Sequence, residues 1–420
     1  MEQPRVTQTI TVCRRAAQAG PRLATLASGT KDAALEAMAR ALEGEAEGLI
    51  QANQADLARA RAADASPTMI DRLTLTSGRI ASMAEGLRAI AAQPDPVGRV
   101  AGGWRRPNRL LIEEVRVPLG VVAVIYEGRP NVTADVAGLC LKSGNACVLR
   151  GSATAASSNR AIADVLIRAA AREGVPEGSI ALLDDPDRAA AMELMQAKGL
   201  IDLLVPRGGR RLIETIETHA TVPVIIDGDG NCHVYVDRSA EPGMATSIVL
   251  NAKTQRPSVC NAAETLLVHD EMANKWLPGA LAELGAAGVA IKGDNRVCRL
   301  WPGTQPAAES DWATEYLGLT LAVRVVGSLD EAIAHVNHYG TSNAEAIVTQ
   351  DVAAAHRFAA EVDSGSVFVN ASTRFSDGGE FGYGAEIGVS TQKLHARGPM
   401  GLQALTTTKY VVWGDGQIRG

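Results

Sequence analysis

The chain has 420 residues, 46% of them hydrophobic and 21% charged, a composition that excludes wholesale disorder and predicts two or three lobes. The net charge is −6 with Lys and Arg scattered along the chain, which argues against nucleic acid as a partner. The longest apolar run, 117–126, is far shorter than the roughly 20 residues that cross a bilayer. Residues 1–20 lack the apolar core of a secretion signal, so we expect a cytoplasmic protein without a membrane partner.

The first 92 residues have the pattern of amphipathic helices. Leu, Met and Ile recur every three or four residues in stretches such as DAALEAMARALEG, a spacing that places them on one helical face. The prolines and glycine of QPDPVG at 93–98 end this helical region. The alternating, β-branched segment at 109–117 then indicates a hairpin arm.

Strands and helices alternate after the arm. A buried strand in VPLGVVAVIYEGRPNV, a helix through Cys140 and a strand in NACVLRGS form a βαβ unit. A helix at 157–172, a strand at 179–183, a helix at 187–198 and a strand at 200–205 continue the alternation. This order predicts a doubly wound, Rossmann-type lobe with a parallel sheet and right-handed crossovers.

A second α/β lobe is predicted after residue 228. Its elements are a helix at 241–252, the strand TLLVH, a helix at 271–284, strands at 288–292 and 320–326, a helix at 329–337 and the segment SGSVFVNAS. The tail TTTKYVVWGDG is predicted to be a terminal strand. Its length would allow it to pair with the arm at 104–117 across a subunit interface.

Two loops that follow predicted strands have features of a nucleotide site. The residues concerned are Arg150, Gly151, Ser152, Pro206, Arg207, Gly208 and Gly209. Doubly wound folds bind ligands at the carboxyl ends of their strands, glycine lets the backbone approach a ligand, and a helix N-terminus favours phosphate. A Gly-Gly turn before a helix is also a common plain connection, and the chain has no GxGxxG fingerprint, so an ordinary Rossmann dehydrogenase is not supported.

The first of these loops bears on the choice of cofactor. No carboxylate stands beside Arg150 in the sequence to bind a ribose 2′-hydroxyl. A guanidinium suits a 2′-phosphate. The sequence therefore favours NADPH or NADP over NADH or NAD.

Cys260 has the sequence context of a nucleophile. It lies in the polar loop NAKTQRPSVCNAAE with Lys253 and Arg256, and cationic neighbours favour the thiolate. An inert thiol is an equally good interpretation of the composition alone. The six cysteines form no CxxC pair and the seven histidines are not clustered, so neither a disulfide framework nor a metal site is expected.

Several segments together resemble the γ-glutamyl phosphate reductases, the glutamate-5-semialdehyde dehydrogenases of the aldehyde dehydrogenase superfamily. The segments are MIDRLTLTSGRIASMAEGLRAIAAQPDPVG, VPLGVVAVIYEGRPNVTADVAGLCLKSGNACVLRGS, LVPRGGRRLIE, GNCHVYVD, NAKTQRPSVCNAAETLLVH, EYLGLTLAVRVV and EFGYGAEIGVSTQKLHARGPMGL. They cover most of the chain in the family's order. The resemblance implies an α/β, aldehyde-dehydrogenase-like fold. Its expected parts are an NADP-binding domain at 1–103 and 118–228, a catalytic domain at 229–402, and an oligomerisation arm at 104–117 with 403–420.

The resemblance also implies an activity, the second step of proline biosynthesis from glutamate. Cys260 would attack the acyl phosphate of L-glutamyl 5-phosphate, expel phosphate and leave a thioester, which NADPH reduces to glutamate 5-semialdehyde. Asn131 would hold the oxyanion with the Cys260 backbone N–H, although a turn residue after Pro130 is the plainer alternative. Glu315 matches a glutamate on the nicotinamide ribose, with a surface carboxylate as its alternative. Arg150 matches a basic residue on the adenosine ribose, and PRGG matches the pyrophosphate helix.

One segment departs from the family pattern. IIDGDGNCH corresponds to the segment that carries a glutamate base in hydrolytic aldehyde dehydrogenases, and it contains no glutamate. This suits a thioester that must survive until it is reduced. Asp227 stands where the family usually has His. Asp227 or Asp229 acting as a weak base would weaken strict reductase behaviour.

The charged ends of the substrate call for cationic or hydroxyl side chains. The residues predicted to bind it are Lys253, Arg256, Ser372, Thr373 and Arg374. For each of them a solvated loop charge or a helix cap is the alternative.

Two other functions stay open at this level. One is a non-phosphorylating or coenzyme-A-acylating semialdehyde dehydrogenase of the same superfamily. The other is an idle chain that binds nucleotide or a partner such as glutamate 5-kinase, which makes the acyl phosphate. The joint presence of Cys260, Asn131 and PRGG argues against the idle chain. Because the arm and tail resemble intersubunit strands, at least a homodimer is expected.

Overall fold

The structure, a computed structural model, describes residues 7–226 and 228–419. Its helices are α1 (Gln8–Leu23), α2 (Ser28–Gly44), α3 (Ala46–Ala62), α4 (Pro67–Leu73), α5 (Ser77–Ala92), α6 (Asn131–Lys142), α7 (Ala156–Arg172), α8 (Arg188–Met195), α9 (Arg210–His219), α10 (Pro242–Thr254), α11 (Asp270–Ala273), α12 (Leu277–Ala286), α13 (Asn295–Leu300), α14 (Leu329–Tyr339) and α15 (Val352–Glu361). Its strands are β1 (Val100–Arg105), β2 (Leu111–Pro118), β3 (Val121–Tyr126), β4 (Ala146–Gly151), β5 (Ile180–Leu182), β6 (Leu203–Arg207), β7 (Cys232–Val236), β8 (Ala263–His269), β9 (Ala290–Gly293), β10 (Gln305–Pro306), β11 (Thr320–Val326), β12 (Ala344–Val348), β13 (Ser366–Val369), β14 (Val389–Ser390), β15 (Gly398–Pro399) and β16 (Thr406–Trp413).

The chain folds into two compact units, and each is built from separate stretches of sequence. The first comprises Met1–Ile226, Gly382–Gly388 and Met400–Gly420. The second comprises Asp227–Phe381 and Val389–Pro399. The assignment of cofactor binding to one part of the chain and catalysis to another stays a prediction.

The first unit contains a parallel four-stranded sheet in the order β5-β4-β3-β6. Every residue of β3 is buried, as its uninterrupted apolar sequence predicts for a central parallel strand. Helices α2, α5, α6 and α7 pack on one another beside the sheet. The chain leaves β3 to form β4 on one side and later places β6 on the other side, so the crevice where a doubly wound fold binds its ligand lies at the end of β3.

The arm is a separate antiparallel sheet of the first unit, in the order β1-β2-β16. Eight residues of β16 pair with β2, from Thr406 opposite Pro118 to Trp413 opposite Leu111. The suggestion that tail and arm pair across a subunit interface is therefore wrong for these strands, because β2 takes its partner from the same chain. The Asn145 side chain donates to the Leu405 carbonyl at 2.8 Å and so fixes the chain just before β16 begins.

The second unit contains a parallel seven-stranded sheet in the order β10-β9-β11-β8-β7-β12-β13. Adjacent residues of its central strands point to opposite faces. Val234 and Leu266 join an apolar cluster with α10 and α12 on one face. Tyr235 and Leu267 join a cluster with α14 and α15 on the other. The sheet therefore holds the end of α10, the loop after it and β8 in a fixed relation.

Over the residues that the structure describes, no helix is both long enough and apolar enough to cross a bilayer. In the same residues, no group of three or more His, Cys, Asp or Glu side chains could hold a metal ion.

Candidate active site

Cys260 lies in the loop between α10 and β8, half-buried and outside any disulfide. The backbone of Gly230 packs directly on it, since a Cβ at Gly230 would lie 1.9 Å from the Cys260 carbonyl oxygen. The buried Cys232 thiol donates to that same carbonyl at 3.2 Å. The backbone of Cys260 is thus held by residues 230 and 232, which lie in the segment that corresponds by resemblance to the position of the hydrolytic base.

A second loop is tied to the residue after Cys260. The Thr373 hydroxyl donates to the Asn261 carbonyl at 2.7 Å, and the Asn261 amide donates to the Ser376 carbonyl at 3.0 Å. The Ser372 hydroxyl accepts from the Arg374 backbone N–H at 3.3 Å and caps a short 3₁₀ turn. Ser372 and Thr373 are buried, so their hydroxyls hold the loop in this structure, and substrate contact by them stays a prediction.

One guanidinium group, that of Arg374, lies within electrostatic range of the thiol, and that of Arg256 lies within range of Arg374. Burial lowers the pKa of Arg374, and the positive charge of Arg256 lowers it further. The negative charges of Asp377 and of the Cys260 thiolate raise it. Arg374 is half-buried, and its Nε donates to Gln255 at 3.0 Å, whereas Arg256 is exposed. The structure thus brings Arg256 and Arg374 within electrostatic range of each other and Arg374 within range of Cys260. Such positive charge favours a thiolate.

Lys253 takes a different position from the one expected of a substrate ligand. Its side chain is entirely buried on α10 and forms an ion pair with the buried Glu264. Burial lowers the pKa of Lys253 and raises the pKa of Glu264 to about 7, while their mutual attraction opposes both changes. Glu264 also accepts the Leu317 N–H at 3.1 Å. In this structure Lys253 links α10 to β8, and its contact with a substrate stays a prediction.

Glu315 approaches the nucleophile loop through Gly230. Its Oε1 accepts the Gly230 N–H at 2.8 Å, so the carboxylate fixes the glycine that packs on Cys260. The proposed contact with a nicotinamide ribose stays a prediction. Asp229, next to Gly230, is half-buried, and Asp227 lies outside the described residues.

In the first unit, the two glycine loops come together at the carboxyl edge of the sheet. A Cβ at Gly151 would lie 2.0 Å from Asn159 Nδ2, and one at Gly208 would lie 2.7 Å from the Leu212 side chain. At these two positions the space of a Cβ is filled by side chains of the same unit, so glycine is required by packing. Helix α9 begins at Arg210, and its N-cap residue Gly209 provides no side-chain cap. An uncapped helix N-terminus at the carboxyl edge of the sheet fits the phosphates of a dinucleotide.

Ser152 and Glu127 also lie at these two glycine loops. The Ser152 hydroxyl accepts the Gly128 N–H at 3.2 Å, and Glu127 Oε2 accepts the Gly209 N–H at 3.1 Å. Sequence reasoning missed Glu127, because its partner lies 82 residues further along the chain. A carboxylate here would repel a phosphate at this N–H, so the remaining first-turn amides of α9 are the ones suited to hold it.

Arg150 has acidic neighbours that its sequence context did not show. Its Nη2 donates to the carbonyls of Pro186 at 3.2 Å and Asp187 at 3.1 Å. Burial lowers the pKa of Arg150, whereas the charges of Asp185 and Asp187 raise it. The expectation that no carboxylate stands beside Arg150 is therefore wrong. The reason is that β5 pairs with β4 and brings the following loop alongside.

Asn131 is the first residue of α6, exposed at the end of the loop after β3. Its Nδ2 donates to Asp135 Oδ2 at 2.9 Å. Burial raises the pKa of Asp135 to about 6 against the opposing effects of Asn131 and Arg207. Sequence reasoning missed Asp135, although the spacing of four residues on one helix face was the available signal.

Comparisons with known proteins identify relatives over almost the whole chain. The model of the aldehyde dehydrogenase family matches residues 2–294 and 306–411. The γ-glutamyl phosphate reductase of Thermobifida fusca is 56% identical over 408 residues, covering 97% of this chain and 98% of that protein. The protein of the same name from Moorella thermoacetica is 55% identical over 406 residues, 97% of each chain.

A solved structure agrees with these relatives. The crystal structure of γ-glutamyl phosphate reductase from Thermotoga maritima superposes with a TM-score of 0.95 at 41% identity, covering 99% of this chain and 100% of that one. An acetylating aldehyde dehydrogenase from Geobacillus thermoglucosidasius shares the fold at 19% identity, with a TM-score of 0.71 over 98% of each chain. The predicted aldehyde-dehydrogenase-like fold is confirmed.

Proposed function

Since the chain belongs to the γ-glutamyl phosphate reductases of the aldehyde dehydrogenase family, and is thus an oxidoreductase, we propose that it reduces L-glutamyl 5-phosphate to L-glutamate 5-semialdehyde and phosphate in proline biosynthesis. We further propose that NADPH is the reductant and that the reaction passes through a thioester on Cys260. The observation that carries the thioester proposal is the half-buried Cys260, whose backbone is fixed by Gly230 and whose thiol has a guanidinium within electrostatic range.

The charges around Cys260 account for the first step. Arg374, which has Arg256 within electrostatic range, favours the Cys260 thiolate, and this thiolate attacks the acyl carbon of the substrate. The resulting oxyanion requires hydrogen-bond donors, and we assign this role to the Cys260 backbone N–H and the Asn131 amide. Collapse of the tetrahedral adduct breaks the bond to the phosphate oxygen, releases phosphate and leaves the thioester. Both guanidinium groups suit the departing phosphate and the substrate carboxylate.

The surroundings of the thioester suit reduction better than hydrolysis. NADPH, when bound, supplies the hydride that converts the thioester to the aldehyde. The segment that packs on Cys260 through Gly230 carries Asp229 and no glutamate. A water molecule would therefore lack the glutamate base that hydrolytic aldehyde dehydrogenases carry in the corresponding segment.

The cofactor proposal rests on the first unit. Arg150 suits the 2′-phosphate, and Gly151 and Ser152 line the loop beside it. The turn at 206–209 with the uncapped start of α9 suits the pyrophosphate. Glu315 is retained as the proposed partner of the nicotinamide ribose.

The reverse reaction tests the proposal. We expect wild-type protein to form NADPH from glutamate semialdehyde and NADP only when inorganic phosphate is present. Cys260→Ala should abolish this activity, while Cys298→Ala, at the other half-buried cysteine, should retain it. Phosphate-independent oxidation would contradict the proposal and indicate a non-phosphorylating dehydrogenase with Asp227 or Asp229 as a base.

The expected homo-oligomer also stays a proposal, and the arm supports it. Its sheet exposes large apolar side chains, namely Val100, Trp104, Tyr410, Val412 and Trp413. Exposed apolar side chains grouped on one small sheet favour association with a second copy. Sedimentation of wild-type protein and of Trp104→Ser/Tyr410→Ser should show a loss of the oligomer in the variant. Cytoplasmic location and contact with glutamate 5-kinase stay predictions.

A further inference from the structure

The loop between β5 and α8, residues 183–187, lies beside the residue proposed to bind the cofactor's 2′-phosphate. Strand β5 pairs with β4 in parallel, from Ile180 opposite Cys147 to Leu182 opposite Leu149. The loop after β5 therefore reaches the same sheet edge as Arg150. There, the backbone carbonyls of Pro186 and Asp187 accept hydrogen bonds from Arg150 Nη2. Backbone oxygens thus orient the guanidinium, and the nearby carboxylates act on it through their charge.

The three acidic residues of this loop have different surroundings. Asp184 forms an ion pair with Arg160, which neutralises its charge. Asp185 Oδ1 accepts the Asp187 N–H at 2.9 Å, and Asp187 Oδ1 caps α8 by accepting the Ala189 N–H at 3.1 Å. Among the residues that the structure describes, no cationic side chain forms an ion pair with Asp185 or Asp187, and both act electrostatically on Arg150.

Arg150 itself retains one unused donor. Its Nε is buried and has no hydrogen-bond partner in the described part of the chain. An unsatisfied buried donor is costly, so it favours an acceptor from a ligand. Both the 2′-phosphate of NADPH and the 2′-hydroxyl of NADH offer such an oxygen. The two cofactors therefore differ at this position in charge and not in the ability to accept a hydrogen bond.

We propose that Asp185 and Asp187 determine dinucleotide selectivity by limiting the preference of Arg150 for NADPH over NADH. This inference rests on the proposed function in that the dinucleotide binds at Arg150. The guanidinium attracts the 2′-phosphate, while the two carboxylates repel it and can accept hydrogen bonds from a ribose hydroxyl. Two solvent-exposed charges about 4 Å apart, screened as in bulk water, interact by an energy that corresponds to about a fivefold change in affinity.

Binding of each reduced cofactor, measured without substrate through its own fluorescence, tests the inference. Asp185→Asn and Asp187→Asn remove one charge each, and asparagine preserves the cap on α8. We expect either change to lower the Kd for NADPH by about fivefold, to leave the Kd for NADH within about twofold, and to lose its effect at high salt. Asp164→Asn, at an exposed position on α7, removes the same charge elsewhere and should alter neither Kd.

Two outcomes would overturn the inference. One is an unchanged ratio of the two Kd values in Asp185→Asn and Asp187→Asn. The other is an equal shift for both cofactors, which would indicate a change in the loop rather than in charge at the 2′ position. A shifted ratio in a protein without phosphate-dependent activity would support the inference and contradict the proposed reaction. Normal reductase activity with an unshifted ratio would do the reverse.

Discussion

Gly230→Ala is the sharpest test of how the nucleophile is held. The added Cβ would lie 1.9 Å from the Cys260 carbonyl oxygen and 2.5 Å from its Cα, whereas real Cβ atoms essentially never come closer than 3.0 Å. One of the two backbones must therefore move by about 1 Å. Because a misplacement of about 1 Å costs roughly a hundredfold in rate, we expect kcat/KM of the reverse reaction to fall by about that factor. Overpacking should cost about 1–3 kcal/mol of stability.

Three measurements separate misplacement from unfolding. Kinetics of the reverse reaction give the loss of rate, urea denaturation gives the loss of stability, and alkylation of Cys260 reports the reactivity of the thiol. Gly279→Ala is the matched control, because its Cβ would meet nothing within 4 Å. On helix α12 that change should raise stability by up to about 1 kcal/mol. Wild-type kcat/KM in Gly230→Ala would refute the argument that this contact positions the nucleophile.

Two further predictions concern buried charges. Glu264→Gln strands the buried Lys253 ammonium and should cost about 3 kcal/mol in urea denaturation, whereas Glu264→Gln combined with Lys253→Met should recover most of that loss; equal losses in both would contradict the pairing. Because burial raises the pKa of Asp135 to about 6, above its usual value near 4, its contribution to stability is present below about pH 4 and is lost as pH rises through 6. The Tm of wild type relative to Asp135→Asn should therefore fall between pH 4 and pH 7, and a constant difference in thermal melts would show that Asp135 titrates normally.

The order of strands and helices could be predicted because each carries its own periodicity. The six buried residues of β3 follow directly from residue type. Strands β7 and β12 of the second sheet were not among the predicted elements. Strand β1 begins at Val100, four residues before the predicted start of the arm at 104. Its Gly102 and Gly103 belong to a residue type that is depleted in strands, so they did not indicate one.

The site was less predictable, because its contacts join residues that are distant in sequence. The sequence shows that Lys253 and Arg256 precede Cys260, but it does not show that the Lys253 side chain is buried against Glu264 while Arg256 is exposed. In the same way, the carboxylates near Arg150 come from a loop about 35 residues further along the chain. Side-chain direction on a helix and the neighbours of a strand are decided by tertiary packing, which one sequence does not display.

The pairing of β16 with β2 has a consequence for how the protein is made. Trp413 Nε1 donates to Glu113 across a separation of 300 residues, so the central strand of the arm must wait for a strand that is synthesised much later. The four strands of the first unit's parallel sheet all precede residue 208 and can assemble on the ribosome. Until β16 has been synthesised, β2 keeps one edge unpaired and vulnerable to wrong partners. The arrival of β16, rather than local folding, therefore sets the moment at which the arm closes.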